Sequence, residues 1–268
     1  MTGAGFRSGW PRALSACGLA LLLSLTTGCA NLPGEGASRG DPWEHMNRQV
    51  FAFNEAVDAA AVKPVAQVYQ ALVPSLVRQG VSNVFGNLGD MWSTANLVLQ
   101  AKPQQALNMG MRTLVNSTFG LLGLLDVADE MGLERFTKED FGQTLGFWGL
   151  KSGPYLVLPM LGPSTLRDAT GLALDYRDSI LPRIWHETRD RNGAAALELL
   201  DARVRLLSAG RVLDDIALDK YVLLRDAYLA RRKSQIYDGE PPEDDQAPAP
   251  YKSLLKGPNG EPLWPLAR

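Results

Sequence analysis

The chain has 268 residues, with 27 Lys or Arg, 29 Asp or Glu and two His, which gives a net charge of −2. This balance argues against a nucleic-acid-binding protein, which needs a basic surface. Two cysteines and two histidines nearly exclude a His/Cys metal centre. The sequence also lacks a P-loop, a dinucleotide-binding glycine motif and a G-x-S-x-G elbow, so no cofactor is expected.

Residues 1–28 have the three parts of a secretory signal peptide. Arg7 and Arg12 supply the positive start, and an apolar run follows from residue 13 to residue 25. The run is too short to remain as a membrane span. Removal of the signal would leave about 240 residues with a net charge of −4.

Cys29 follows this segment and is predicted to carry the lipid anchor of a bacterial lipoprotein. Leu25 lies four residues before it, one position further than in the commonest lipobox, so an ordinary signal cleaved before Ala30 is the alternative. Ala30, rather than Asp, after the cysteine favours the outer membrane. Several acyl chains would hold the protein stably on a membrane. The small, Gly-rich residues up to position 40 predict a flexible tether, so that 29–40 form a lipidated linker.

The first predicted helix starts at Asp41, which can act as its cap, with Pro42 in the first position and Glu44 completing a capping-box-like pattern. Apolar residues then recur at helical spacing. Pro64 is expected to end or kink this helix.

Four further helices are predicted over 74–88, 90–101, 103–115 and 120–130. Their apolar residues come in blocks that are wider than one stripe. Helices of this kind are either buried on more than one side or lie against lipid.

Thr137 and Asp140 predict another capping box, which leads into a short helix ending near Trp148. The apolar segment 149–163 contains three prolines, which prevent a continuous helix and predict an extended or hairpin-like loop. An apolar loop of this length needs a protein groove or a membrane interface.

A helix is predicted to restart at Ser164, and helices near 193–209 and 212–236 are expected to pair as an antiparallel hairpin. The last of these ends in Arg231-Arg232-Lys233, interpreted as a solvated helix end or a contact for anionic head groups. Residues 238–268 are acidic and Pro-rich, which predicts a disordered tail after a folded domain of residues 41–237.

Several motifs together resemble the MlaA (VacJ) family of outer-membrane lipoproteins. They span residues 41 to about 235 and include Asp41-Pro42-Trp43-Glu44, Asn47-Arg48, Phe53-Asn54, Lys63-Pro64, Asn116-Ser117, Asp126, Asp140-Phe141-Gly142-Gln143-Thr144-Leu145-Gly146, Gly153-Pro154-Tyr155-Leu156-Val157-Leu158-Pro159, Leu161-Gly162-Pro163-Ser164 and Arg167-Asp168.

The resemblance implies an all-α, ring-like protein embedded in the inner leaflet of the outer membrane of a Gram-negative bacterium, facing the periplasm. Its implied role is to remove phospholipids that have strayed into the outer leaflet, through an amphipathic channel, and so to maintain lipid asymmetry. The implied partners are a porin trimer and a soluble periplasmic lipid carrier, and no bond is broken.

Within this picture, two groups of residues are candidates for function. The lipid-channel candidates are Asp140, Gln143, Lys151, Tyr155, Arg167 and Asp168, of which Tyr155 is expected to gate the channel and the other five to contact head groups. The residues expected to form the loop or gate are Gly153, Pro154, Pro159, Gly162 and Pro163. The alternative interpretation of the first group is structural, as a cap residue, a surface amide, a solvated helix start and a core aromatic.

Two other functions remain open at this point. A lipid hydrolase would use Ser164 or Ser179 as the nucleophile and His186 or His45 as the base, although neither serine lies in a recognised elbow. A structural lipoprotein would brace the envelope against peptidoglycan or a porin without affecting lipid asymmetry.

Overall fold

The computed structural model describes residues 41–178 and 187–241, and within them the protein is helical with one β-hairpin. The helices are α1 (Glu44–Val57), α2 (Lys63–Leu72), α3 (Ser75–Leu99), α4 (Pro103–Thr118), α5 (Val127–Glu130), α6 (Phe141–Phe147), α7 (Leu166–Asp178), α8 (Thr188–Ile216) and α9 (Lys220–Ile236). The strands are β1 (Tyr155–Leu158) and β2 (Gly162–Thr165). The all-α prediction is confirmed. Over the described ranges, no helix has both the length and the apolar character needed to cross a membrane.

Several predictions concern residues outside the described ranges. These are the signal peptide, lipidation of Cys29, the tether, Ser179, His186 and the tail beyond residue 241. They stay predictions.

The start of α1 differs from the predicted cap. Asp41 is fully buried and makes no cap bond, because its carboxylate accepts hydrogen bonds from Asn47 Nδ2 at 2.8 Å and from the Tyr221 hydroxyl. Trp43 is the residue that precedes the first helical turn. Asp41 therefore fixes the start of the folded body against the last helix.

Pro64 does not end the first helix. A π-helix over Asp58–Val62 joins α1 to α2, and Pro64 lies in the first turn of α2. A proline lacks an N–H donor and its ring clashes with the carbonyl four residues earlier. The wider π turn gives the ring room, so the chain continues as a helix.

Helix α3 is one 25-residue element that passes through Gly80, Gly86 and Gly89, so the predicted break at Gly89 is wrong. Side chains from other segments lie over two of these glycines. A Cβ on Gly80 would come within 2.7 Å of Leu124, and a Cβ on Gly89 would overlap Lys138. Helix α4 packs on α3, and the buried residues of this contact are Leu97, Ala106 and Met109.

The helix predicted over 120–130 is also largely wrong, since only Val127–Glu130 is helical. Leu121, Leu122 and Gly123 have φ angles of 53°, 60° and 91°. A right-handed helix cannot include three such residues.

The hairpin prediction is confirmed, with β1 and β2 antiparallel and Leu158 paired to Gly162 across the turn. The expected pairing of the last two helices is wrong. Helix α8 packs on α2 and α3, whereas α9 packs on α6 and β2. The last helix is thereby placed against the hairpin.

Candidate functional site

A recess of about 190 Å³ lies between the hairpin and helices α6, α7 and α9. Its rim is apolar and consists of Leu158, Leu161, Pro163 and Leu172. Its polar wall consists of Asp140, Ser164, Asp168, Asp175, Tyr228 and Arg232. The lining of the recess is therefore amphipathic, with most of its apolar residues from the hairpin and all of its charged residues from the helices or from the cap of α6.

Asp140 reaches the recess from the start of α6, where it acts as the helix cap. Its carboxylate accepts hydrogen bonds from Gln143 N at 2.9 Å and from Gln143 Nε2 at 3.3 Å. Asp140 itself, rather than Thr137, is the N-cap, because the first-turn amides need an acceptor there. Gln143 is 1% exposed and its side chain also donates to Lys138 O. This buried amide therefore fixes the orientation of the Asp140 carboxylate.

Arg232 holds the two acidic sides of the recess together. It forms a bidentate pair with Asp140, through distances of 2.6 and 2.9 Å, and two further hydrogen bonds to Asp168 at 2.9 and 3.1 Å. Bidentate guanidinium–carboxylate bonds are both strong and geometrically specific. Arg232 is 9% exposed, so the prediction of a solvated helix end is wrong at this position.

Asp168 accepts more side-chain hydrogen bonds than the other acids that line the recess. Besides Arg232, it accepts from Arg167 Nη2 at 2.7 Å and from the Tyr228 hydroxyl at 2.8 Å. Burial by itself would raise the pKa of Asp168, but the hydrogen bonds and charges of Arg232 and Arg167 outweigh it and lower this pKa to about 2. The same carboxylates raise the pKa of Arg232 against the effect of its own burial. Asp168 and Arg232 are therefore both charged throughout the physiological pH range.

Tyr228 was not predicted as a functional residue, and Arg232 was predicted only as part of a solvated helix end or as a contact for anionic head groups. Tyr221, Tyr228 and Arg232 are spaced by seven and four residues, which places them on one face of α9. Two tyrosines at that spacing mark a face that packs on the protein, and this is the signal that Arg232 points inward.

Tyr155 lies inside the protein rather than in the recess. Its side chain is 1% exposed and packs edge-on against Tyr221 and Tyr228, with ring centroids 6.2 and 6.3 Å away. Burial raises the pKa of Tyr155 to about 12. This placement agrees with the core-aromatic interpretation.

Two asparagines of α1 hold strand β1. Asn47 donates to Tyr155 O at 3.0 Å and accepts from Val157 N at 2.9 Å. Asn54, two turns later, donates to Leu158 O at 2.9 Å and accepts from Met160 N at 2.8 Å. Each amide therefore replaces the backbone of a missing neighbouring strand, and the hairpin is docked on α1.

The remaining candidate residues lie at different distances from the recess. Asp140, Gln143, Arg167 and Asp168 come together, whereas Lys151 is exposed and does not line the recess. Of the loop candidates, Pro163 lines the recess, Pro159 is exposed, and Pro154 O accepts from Leu166 N at 3.0 Å. Gly153, just before β1, and Gly162, at the hairpin turn, have φ angles of 68° and 82°, so both positions use backbone conformations that favour glycine.

The residues of the hydrolase alternative are not assembled in the described part. Ser164 is buried and donates to Thr165 O at 3.3 Å, and His45 is exposed on α1. In the described residues, no group of three His, Cys, Asp or Glu side chains could hold a metal ion.

The segment 119–125, here called the leucine loop, exposes five large apolar side chains. They are Phe119, Leu121, Leu122, Leu124 and Leu125. The N–H groups of residues 122–125 are all bonded to carbonyls within 116–121, and Leu124 O accepts from Asn83 at 3.1 Å. The loop is thus apolar outside, and most of its N–H groups have backbone acceptors.

Comparison with known proteins gives a consistent set of similarities. The model of the MlaA lipoprotein family matches residues 39–235. The "Intermembrane phospholipid transport system lipoprotein MlaA" of Escherichia coli (strain K12) is 35% identical, over 86% of this chain and 93% of its own length. The protein of the same name from Haemophilus influenzae is 30% identical, over 80% of this chain and 87% of its own length. A solved structure reported as "Structural basis for maintenance of bacterial outer membrane lipid asymmetry" has a TM-score of 0.66 and 32% identity, and covers 75% of this chain and 100% of its own.

Proposed function

Because this chain belongs to the MlaA lipoprotein family, we propose that it is an outer-membrane lipoprotein of intermembrane phospholipid transport. It removes phospholipids mislocalised to the outer leaflet, without breaking a bond, and so maintains lipid asymmetry. The amphipathic recess carries this proposal. A phospholipid has one charged and one apolar part, and the recess is lined by both charged and apolar side chains.

The leucine loop supports a seat within the membrane. Non-helical backbone is tolerated at hydrocarbon depth only where its polar groups are satisfied, and most N–H groups of the loop have backbone acceptors. Helix α4 leads into it with Leu107, Met111 and Leu114 exposed at spacings of four and three residues. Loop and helix thus form a continuous apolar surface.

The predicted anchor is compatible with this seat. Eleven residues separate Cys29 from Asp41, and an extended chain of that length reaches roughly 40 Å. Since Asp41 is buried against Tyr221, the folded body can lie no further than that from the acyl chains. The periplasm-facing orientation belongs to the same proposal.

The hairpin is the proposed gate of the channel. It contributes most of the apolar residues of the recess, it has left-handed glycines before β1 (Gly153) and at its turn (Gly162), and two asparagines hold it on α1. We propose that lipid moves past this rim to a soluble periplasmic carrier and that a porin trimer flanks the ring. Lys151, exposed before the hairpin, would meet head groups at its mouth.

A deletion strain tests the function. Loss of this protein should increase the phospholipid exposed in the outer leaflet, measured by its accessibility to added phospholipase, and should lower detergent resistance. Plasmid-borne wild-type protein should restore both. An unchanged outer leaflet in the deletion strain would refute the proposal, and porin or peptidoglycan binding in the same strain background would then favour the structural alternative.

Mass spectrometry of protein extracted from membranes tests the anchor and the cargo together. Acylation at Cys29 and co-purified phospholipid are expected. Release of fatty acid by purified protein, abolished in Ser164→Ala, would instead support the hydrolase.

A further inference from the structure

One acid of the recess has no cationic partner. Arg232 pairs with both Asp140 and Asp168, and Arg167 pairs with Asp168 as well. Asp175 lines the same recess from α7, but no cationic side chain of the described residues lies within 4 Å of its carboxylate. The two arginines are therefore engaged by the first two acids, and Asp175 is the acid that can take an external cation.

The Asp175 carboxylate is held by two N–H donors on one of its oxygens. Trp92 Nε1, from α3, donates to Oδ1 at 2.7 Å, and Phe141 N, at the start of α6, donates to the same oxygen at 3.0 Å. The second oxygen, Oδ2, accepts no hydrogen bond from a described residue. A carboxylate can accept about four hydrogen bonds, so Oδ2 is a fixed acceptor with free capacity.

Apolar side chains lie beside this acceptor. The carboxylates of Asp140 and Asp175 both accept N–H groups from the first turn of α6, so both lie at the start of that helix. Leu161, on the hairpin turn, and Leu172, one turn before Asp175, line the same recess and are 68% and 37% exposed. The recess thus presents an open acceptor together with accessible apolar surface, which suits an amphiphile.

The size and charge of the recess restrict what enters it. Its volume of about 190 Å³ is the share of roughly six water molecules in the liquid, which is room for a head group only. Burial raises the pKa of Asp175, whereas the hydrogen bonds from Trp92 and Phe141 lower it. A cation bound at Oδ2 favours the ionised form further, while an anion at the same place is repelled.

We propose that Asp175 binds the primary ammonium of an ethanolamine phospholipid, which donates a hydrogen bond to Oδ2 while the acyl chains lie toward Leu161 and Leu172. This site rests on the proposed transport function and names the head group that the recess selects. A glycerol head group brings no cation to Asp175. A choline head group brings a cation that has no N–H to donate, so it uses the charge of the site without its hydrogen bond.

Binding of short-chain lipids to the purified full-length protein tests the site. The probes are the dihexanoyl forms of phosphatidylethanolamine, phosphatidylcholine and phosphatidylglycerol, together with free ethanolamine, all measured by titration calorimetry. Phosphatidylethanolamine should bind about tenfold more tightly than phosphatidylglycerol, the usual scale for one charge-assisted hydrogen bond. Phosphatidylcholine should lie between them, and free ethanolamine should bind more weakly than phosphatidylethanolamine because it lacks the apolar part.

Asp175→Asn removes the charge and keeps the shape of the side chain. Its amide oxygen can still accept from Trp92 and Phe141, so the melting temperature should stay close to that of the wild type. The variant should lose the preference for phosphatidylethanolamine and retain its affinity for phosphatidylglycerol. The control Asp215→Asn removes the same charge from an exposed position of α8 and should keep the preference.

Three results would overturn the site. The first is equal affinity of the wild type for phosphatidylethanolamine and phosphatidylglycerol. The second is an Asp175→Asn variant that keeps the preference or that loses both lipids equally, since the carboxylate would then not select the ammonium. The third is binding of free ethanolamine as tight as that of the lipid, which would make the recess a site for small amines.

The deletion strain separates this site from the function on which it rests. Complementation with Asp175→Asn should leave more phosphatidylethanolamine in the outer leaflet than complementation with wild-type protein. If both proteins clear phosphatidylethanolamine equally, the site is wrong and the transport function stands. If wild-type protein itself restores nothing, the transport function is wrong, whatever the lipid preference measured by calorimetry.

Discussion

Arg232→Met should strongly destabilise the protein, whereas Arg231→Met should not. Both variants remove one guanidinium from the same turn of α9 and add the same side chain. Arg231 is exposed, but Arg232 is 9% exposed and makes four hydrogen bonds to Asp140 and Asp168. The comparison therefore isolates the buried network.

The expected loss in the free energy of unfolding depends on the hydrogen bonds that Asp140 and Asp168 retain in Arg232→Met. Removing one partner of a buried ion pair costs roughly 3 to 5 kcal/mol, because a charge is left uncompensated. Asp168 retains Arg167 and Tyr228, and Asp140 retains its bonds to Gln143. We therefore expect the lower end, about 3 kcal/mol, for Arg232→Met and a change below about 0.5 kcal/mol for Arg231→Met.

The network also predicts a dependence of stability on pH. The pKa of Asp168 in the folded protein is about 2, which is below its ordinary value near 4. The ionised carboxylate therefore stabilises the fold fully above about pH 4, and this contribution, about 2 kcal/mol, is lost as the pH falls from about 4 to about 2. In Arg232→Met the pKa of Asp168 should move back up, so the loss between these pH values should be smaller.

Urea unfolding of the purified full-length protein in detergent, followed by circular dichroism at several pH values from 2 to 7, provides the measurement. The double variant Asp168→Asn/Arg232→Met should cost less than the sum of the two single variants, because each removes the charge that the other leaves unpaired. Equal stability of Arg232→Met and Arg231→Met, or an unchanged acid dependence, would refute the reasoning.

Three further predictions concern packing, the membrane seat and the hairpin. Gly171→Ala should destabilise the fold by about 2 kcal/mol or more, because its Cβ would meet the backbone of α6 at 2.5 Å. The control Gly193→Ala has open space around it and should add up to about 1 kcal/mol of stability. Equal shifts of the melting temperature in the two variants would contradict this prediction. Replacing Leu121 and Leu122 with Ser should leave the melting temperature unchanged, since these side chains are 67% and 78% exposed. The double variant should reduce flotation of the unacylated protein with phospholipid vesicles at least tenfold. Undiminished flotation would exclude the loop as a membrane contact. Asn47→Leu should destabilise the fold by about 2 kcal/mol, since a buried N–H and a buried C=O of β1 lose their partners. The N–H of Val157, which donates to Asn47, should then exchange its hydrogen faster. Unchanged protection of this amide would contradict the docking role.

Local chemistry was enough to predict much of the region around the recess. An aspartate in the capping position before a short apolar segment favours a helix start, so Asp140 and α6 were predictable, although the same pattern at Asp41 did not give a cap. Prolines at three points of 149–163 exclude a helix, which made the hairpin predictable. These features depend only on residues a few positions apart.

Glycine was a poorer guide. Gly89 was expected to break the helix, yet α3 continues through it. The glycine is needed there for packing instead, because Lys138 occupies the space that a side chain would fill. The helix expected from residue 120 failed for the opposite reason. Leu121 and Leu122 of the leucine loop have left-handed backbone conformations. The loop is bound by a residue that is distant in the sequence, since Asn83 donates a hydrogen bond to Leu124 O.

The sequence by itself determined the helical class, the Pro-broken hairpin, the helix cap at Asp140 and the family resemblance, because each is encoded by neighbouring residues or by short motifs. Only the tertiary structure decided that Arg232 is buried between two carboxylates and that Asn47 binds a strand 108 residues away. The same residue types would be solvated on an isolated helix. They become part of the recess because packing of α9 and α1 against the hairpin removes water and leaves each buried charge and amide in need of a partner.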